Sequence, residues 1–318
     1  MSKIFHLLAG AAVAVTGATA TVSAAKAEFI NVLTGGTSGV YYPLGVALSE
    51  LYAGGIEGAR TQVQATKASV ENLNLLAAGK GEVAFALGDS VVAAWEGNKD
   101  AGFQKELTNL RAIGGIYDNY IQIVADASAE ITTVTDLKGK TISVGAPASG
   151  TELNARAIFG AAGMSYEDMQ RVEFLPYAES AELIKNRQLQ STLQSSGLGA
   201  AFIKDLATTH KISIVAVPAE VVASIGAPYK AAVIPAGTYD GQEVDIPTAA
   251  VTNILVTSEA VSEETVYLMT KLMFENIDKL KSAHSSAAAL DPAKAVQDLP
   301  IPLHPGAERY YKEIGVLK

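Results

Sequence analysis

Short runs of β-branched and apolar residues alternate with amphipathic stretches along this chain, and that alternation restricts the fold more than any other feature. The strand candidates are Phe29 to Leu33, Ala59 to Ala65, Val83 to Leu87, Leu110 to Gly114, Tyr120 to Ala125, Thr141 to Val144, Val172 to Leu175, Ser191 to Ser195, Ile212 to Val217, Ala231 to Ile234 and Ala249 to Val256. Between most of them lie stretches of helical period: Val40 to Ala53, Val70 to Ala78, Ser90 to Glu96, Glu152 to Ala162, Ser180 to Asn186 and Glu263 to Lys281. A helix crossover is what joins parallel neighbours, so the pattern predicts α/β layers built on parallel sheets. A short helix is expected near Ala307 to Ile314, after an extended segment holding Pro300, Pro302 and Pro305.

Two of the strand-to-helix junctions are rich in glycine and hydroxyl groups. The first, Leu33 to Gly45, places Gly35, Gly36 and Gly39 with Thr37 and Ser38 ahead of a helix. The second, Val144 to Glu152, reads V-G-A-P-A-S-G-T-E. Glycines let backbone N–H groups turn inward, and the helix that follows presents the positive end of its dipole, so each junction can hold a small anion. Two such devices on separate units predict a ligand gripped from both sides.

Residues 1–27 read as an export signal: Lys3 supplies the positive start, Leu7 to Val15 the apolar run, and Ala25-Lys26-Ala27 a small-x-small cleavage pattern. Gly10, Thr16, Gly17 and Thr19 interrupt that run too early for a membrane span, which needs ~18 or more apolar residues. Phe29 to Ser49 is uncharged over a similar length but contains the glycine turn and Pro43, so the mature product is expected to be soluble. Loss of Lys3 and Lys26 moves the net charge from −9 to −11, a balance unsuited to nucleic acid. The chain exceeds the ~100 to 150 residues at which domain sizes cluster, so two domains are expected. With no cysteine there are no disulfides, thiol nucleophiles, thiolate metal sites or lipoprotein anchor. An exported chain with no anchor fits a periplasm.

The residue types for catalysis are missing from the usual spacings. His210, His284 and His304 lack a second ligand one turn away and read as surface or capping residues; His6 falls in the signal. There is no G-x-S-x-G elbow or phosphate-binding G-x-x-x-x-G-K-[ST], and the G-x-G at Gly197 and Gly199 lacks its third glycine. No catalytic residue, metal site or cofactor is therefore nominated. What recurs is neutral hydrogen-bonding capacity after strands: Thr34, Thr37 and Ser38; Thr66, Ser69 and Asn72; Asp89 and Ser90; Ser149 and Thr151; Gln194, Ser195 and Ser196. Ligands of open α/β sheets sit beyond such carboxyl ends. Ser69 also fits a helix N-cap with Asn72 reaching back to it, so capping and binding both remain open for this pair. Tyr41, Tyr42, Tyr117, Tyr120, Tyr177 and Tyr229 could line a cleft. Arg60, Arg111, Arg156 and Arg187 could each clamp a carboxylate, with Arg156 the preferred candidate. Asp89 could accept a ligand ammonium.

Five segments then carry a family resemblance: T-G-G-T-S-G-V-Y-Y-P-L-G (34 to 45), S-V-E-N-L-x-L-L (69 to 76), D-L-K-G-K-x-I-S-V-G-A-P-x-S-G-T-E (136 to 152), P-A-G-T-Y (235 to 239) and I-P-L-H-P-G-A-x-R-Y-Y-K-E-x-G (301 to 315). In order and across the whole mature chain, they resemble the TAXI family of TRAP-transporter solute-binding proteins. The resemblance implies a periplasmic-binding-protein type II-like fold, two α/β lobes hinged about a ligand cleft, with residues 28–123 and 250–318 in one lobe and 124–249 in the other. It implies a monomeric, non-enzymatic periplasmic receptor. Such a receptor passes a small carboxylate, glutamate or a related C4 or C5 dicarboxylate, to a TRAP membrane permease driven by an ion gradient. The binding loops carry over as Gly36, Thr37, Ser38 and Tyr41; Ser69 and Asn72; Asp89 and Ser90; and Ser149, Gly150 and Thr151. Gln194 and Ser195 stand where many relatives have aromatic residues, which makes that wall more polar and leaves the ligand open.

Overall fold

The structure, a computed structural model, describes residues 28–318, so the expected export signal lies outside the described residues. The first half of the chain builds strand β1 (Phe29–Leu33), helix α1 (Tyr41–Gly55), β2 (Arg60–Gln64), α2 (Ser69–Ala77), β3 (Val83–Leu87), α3 (Gly88–Trp95) and β4 (Leu110–Asp126). There follow β5 (Thr141–Ser143), α4 (Gly150–Ala161), β6 (Arg171–Glu173), α5 (Tyr177–Lys185), β7 (Ser191–Ser196), α6 (Ala201–Thr209), β8 (Ile212–Val215), α7 (Ala219–Ile225), β9 (Lys230–Ile234) and β10 (Ile246–Ser258). Helices α8 (Glu263–Glu275), α9 (Ile277–Ala283), α10 (Pro292–Ala295) and α11 (Pro305–Glu313) complete the chain.

The strands form one sheet in the order β2-β1-β3-β10-β4-β7-β5-β6, with β8 on β4 and β9 on β10. Each end is parallel, β1 with β2 and β3, and β5 with β6 and β7. In the middle the expectation of parallel sheets fails, because β4 and β10 run antiparallel to each other and to every other neighbour. These two long strands connect the halves: β10 pairs with β3 through Asn253–Thr257 and with β9 through Ile246–Ala250. The expected separate strands at Leu110 and Tyr120 are both part of β4, whose Gly114-Gly115 break in pattern is a packing requirement. A Cβ at Gly114 would collide with the Tyr311 hydroxyl of α11.

Buried apolar side chains divide accordingly. Ile30 to Tyr117 and Ile254 to Tyr311 supply two clusters, centred on residues such as Phe85, Tyr52 and Tyr311 and on Leu73, Phe103 and Leu110. Ile121 to Ala249 supply the rest, around Ile158, Phe159 and Leu193 and around Ile184, Ile203 and Leu206. Apolar burial at roughly 25 cal/mol per Å² drives each assembly separately, which is what makes two lobes. The expected single helix from Glu263 to Lys281 is two, because the Asn276 amide donates to the Leu272 carbonyl at 2.9 Å and takes an acceptor the continuing helix would use. Helices α6 and α7 escape the periodic pattern, being short and burying only Phe202, Ile203 and Leu206, and Val222.

Candidate functional site

The parallel halves point several strand ends, each followed by a helix, at one cavity of about 120 Å³. The turn after β1 contributes Gly36, Ser38 and Gly39 and leads into Tyr41 of α1; the turn after β2 contributes Thr66, Lys67 and Ala68 ahead of α2. From the other side come Ala146, Ser149 and Thr151 at the start of α4, and Pro176 and Tyr177 at the start of α5. Tyr117 and Asn119 of β4 and Ser195 and Ser196 of β7 close it. A cavity of ~150 Å³ accommodates a benzene-sized molecule, so this one suits a small metabolite.

Four helix N-termini therefore meet at one space. Of these, only α4 has a side-chain cap, Ser149 Oγ accepting from Glu152 N at 3.2 Å; α1, α2 and α5 have none. Uncapped first-turn N–H groups and the positive ends of helix dipoles make the cavity favourable to negative charge. Lys67, exposed at its rim, is its one charged lining residue, and no carboxylate lines it. None of Gly35, Gly36 and Gly39 has a positive φ, contrary to a purely conformational role. Their missing side chains keep space open: a Cβ on Gly36 would meet nothing within 4 Å, and one on Gly39 would point at the Tyr177 ring, 3.8 Å away. Ala68 (φ 73°) and Ala148 (φ 60°), by contrast, do hold left-handed backbone, and they flank the point where Glu71 N donates to Ala148 O at 3.2 Å.

Three tyrosines form the walls. Tyr41 stacks on Phe85 with centroids 5.0 Å apart and donates its hydroxyl to Asn253 Oδ1. Tyr177 packs on Phe202 and donates to the Ser195 carbonyl at 2.7 Å while its oxygen lies 2.6 Å from Thr151 Oγ1. Burial pushes the Tyr177 phenol up to about 12 and those of Tyr41 and Tyr117 well above their ordinary value. All three stay neutral and can donate.

Of the residues expected at the site, Gly36, Ser38, Tyr41, Ser149, Thr151 and Ser195 line the cavity. Thr37 sits exposed in the same turn without lining it. Ser69 is the first residue of α2 rather than its cap, and its Oγ accepts from Leu87 N at 3.1 Å. Asn72 does not reach back to Ser69. Fully buried, it donates to Thr34 O at 2.6 Å and Phe85 O at 2.8 Å and thereby ties the β1 turn to α2. Gln194 is buried without lining the cavity, and its side-chain amide donates to Thr192 Oγ1 of the same strand. Ser90 is also fully buried. Gly150 packs so closely that a Cβ there would lie 2.6 Å from Ser69 Oγ, 2.7 Å from Leu87 Cδ1 and 2.9 Å from Ser90 Oγ.

Asp89 is not at the cavity either. Its carboxylate accepts from Tyr229 Oη and Asn154 Nδ2, both at 2.7 Å, and from Ser90 N at 2.7 Å. Asn154 in turn accepts from Ser195 Oγ at 2.5 Å, so one buried chain of hydrogen bonds runs from the cavity wall to Asp89. Burial raises the Asp89 carboxyl above its ordinary value, offset in part by the donors around it. Arg156 does not clamp a ligand: its guanidinium bonds Glu152 at 2.7 Å and the Asp100 carbonyl at 2.6 Å. His284 and His304 cap local turns through Nδ1. Ser196, named with the polar residues after β7, lines the cavity too, and the residues missed as site candidates are Lys67 and Asn119; a polar residue amid the apolar positions of β4 was the one available signal for Asn119. Among the described residues no group of three potential metal ligands occurs, and no helix is long and apolar enough to cross a membrane.

Comparison with solved structures shows the same architecture. PhnD1 from Prochlorococcus marinus in complex with methylphosphonate superposes with a TM-score of 0.60 at 10% identity, over 92% of this chain and 100% of that one. A putative L-cystine ABC transporter from Listeria monocytogenes gives 0.51 at 14% identity, over 80% and 94%. A binding protein component of an ABC phosphonate transporter from Pseudomonas aeruginosa gives 0.51 at 10%, over 82% and 79%. At such identities the likeness establishes the two-lobed α/β fold of periplasmic binding proteins. A family model matches residues 32–315, and the chain therefore belongs to the NMT1-like family.

Proposed function

We propose that the protein is an extracytoplasmic solute-binding receptor that captures a small organic anion, a carboxylate, between its lobes and hands it to a membrane transporter. The observation that carries this reading is the convergence of four helix N-termini, three of them uncapped, on a cavity with one lysine and no acid. Residues 28–123 with 250–318 form one gripping half and 124–249 the other, each supplying two of the helix ends. Gly36, Ser38, Tyr41, Ser149, Thr151 and Ser195 make the direct contacts, and Thr37, Ser69, Asn72, Asp89, Ser90, Gly150 and Gln194 support them. Contacts made from both halves stabilise the shut state over the open one, so binding and closure are linked, and a differential of ~3 kcal/mol is enough to shift a mostly open population. An export signal at residues 1–27 fits a periplasmic location.

Isothermal titration of the protein lacking residues 1–27 against carboxylates tests the capture step, and no heat with any of them would sink it. Ligand at 100 times its Kd should add ~2.7 kcal/mol of stability, visible as a raised melting point. Lys67→Met should weaken binding by only about three- to tenfold, because an exposed charge is screened, and the loss should shrink as salt is raised.

For the transporter, the five-segment resemblance to TAXI receptors favours a TRAP-type permease. A second reading, an ABC-type partner, is favoured by the phosphonate and L-cystine ABC proteins that share the fold. Uptake into vesicles holding the receptor and its permease separates them: the first requires an ion gradient, the second ATP.

A further inference from the structure

We infer that the ligand is a hydroxycarboxylate, with its hydroxyl read by Asn119 and Tyr117, and not an amino acid; this rests on the anion-receptor reading above. Both residues line the cavity, at 2% and 5% exposure, and both carry a polar atom with no partner, Asn119 Oδ1 and the Tyr117 hydroxyl. The orientation of the Asn119 amide is set by its other end. Nδ2 donates to the Ser195 carbonyl at 3.1 Å, and turning the amide over would press two oxygens together. The cavity therefore presents an unfilled acceptor. A buried acceptor left unpaired costs about as much as a lost hydrogen bond, so a ligand that fills it is selected over one that cannot. The Tyr117 hydroxyl feels those of Tyr41 and Tyr177, the other two walls of the cavity, and is free to donate.

One acceptor and one donor are what an alcohol satisfies, since it can give its proton to Asn119 and accept from Tyr117. A ketone offers only an acceptor and would set its oxygen against Asn119 Oδ1. An ammonium could donate to Asn119 but would lie in a cavity of helix N-termini and Lys67 without a counter-charge, because no carboxylate lines it. Asp89, the acid nearest in the hydrogen-bond network, is already occupied by Tyr229, Asn154 and Ser90.

The test is a titration of matched acids: lactate, pyruvate, propionate and alanine; malate, oxaloacetate, succinate and aspartate; and the corresponding five-carbon set. The hydroxy member of at least one series should bind about fivefold to tenfold more tightly than its deoxy counterpart, the worth of one or two neutral hydrogen bonds, and more tightly still than its amino counterpart. Tyr117→Phe breaks no hydrogen bond within the protein, so it should leave the melting point of the free protein in place and lower the hydroxy-to-deoxy preference. Asn119→Asp should lower affinity for the hydroxy acid and improve the amino acid relative to it. Tightest binding of an amino or oxo acid, or an unchanged preference in Tyr117→Phe, overturns the hydroxyl inference while leaving the receptor standing. Binding of none of the acids overturns both.

Discussion

Gly150→Val should cost the protein most of its ligand affinity, a loss on the order of tenfold to a hundredfold, while leaving the lobes folded. Even a single added Cβ at this position would sit within 3 Å of Ser69 Oγ, Leu87 Cδ1 and Ser90 Oγ. Gly150 opens α4, and the three atoms it would strike belong to α2, β3 and α3 on the other side of the cavity. Overpacking a tight contact costs about 1 to 3 kcal/mol, and here that cost falls on bringing the halves together and not on either core. Gly150 has no positive φ, so backbone strain does not confuse the result. Small-angle scattering should show the ligand compacting the natural protein and failing to compact Gly150→Val. A variant that binds and compacts normally would remove close approach at α4 from the account of closure.

How far the molecule could be read beforehand differs between its parts for physical reasons. The turn at Gly36 to Tyr41 and the one at Ser149 to Thr151 are legible as parts of the cavity because small and hydroxyl residues stand next to a helix start, all within a few positions. That the two face each other depends on the sheet. Strand direction leaves no local mark, and so β4 and β10 looked like members of a parallel set, although their antiparallel pairing is what joins the halves. Asp89 looked ligand-facing because an acid after a strand is the usual signature. Its actual partner Tyr229 lies 140 residues away, where only the fold could bring it. Ser69 and Asn72 have the spacing of a cap, yet the backbone of α2 begins one residue earlier than that pairing needs, and Asn72 is captured by the carbonyls of Thr34 and Phe85. Lys67 sits in a polar loop, where a single lysine carries no periodic signal at all.

Asp89→Ala should weaken ligand binding by about thirtyfold or more, the second large effect, through a latch and not through contact with the ligand. Asp89 lies in the first turn of α3, in the half built from the first part of the chain, whereas Tyr229 and Asn154, which donate to it, belong to the stretch between β4 and β10. Removing the carboxylate leaves a buried phenol and Ser90 N without their acceptor, and each such group costs about 1 to 3 kcal/mol. Tyr229→Phe should lose less, since Asn154 and Ser90 still serve Asp89, and the double variant should lose less than the sum because the pair shares one bond. The latch also gives binding a pH dependence of definite sign. With the halves together burial raises the Asp89 carboxyl, whereas in an opened protein it faces water at the ordinary value of ~3.9. The closed state therefore holds its proton more tightly, so its advantage is greatest below the ordinary value and declines as pH rises through the raised one. Measured as the ratio of affinities between the natural protein and Asp89→Asn, which cancels the ligand's own titration, the advantage should fall from acid pH toward neutrality. A ratio that climbs with pH would mean that the donors around Asp89 outweigh its desolvation, and that the ionised carboxylate is the form that holds the halves shut.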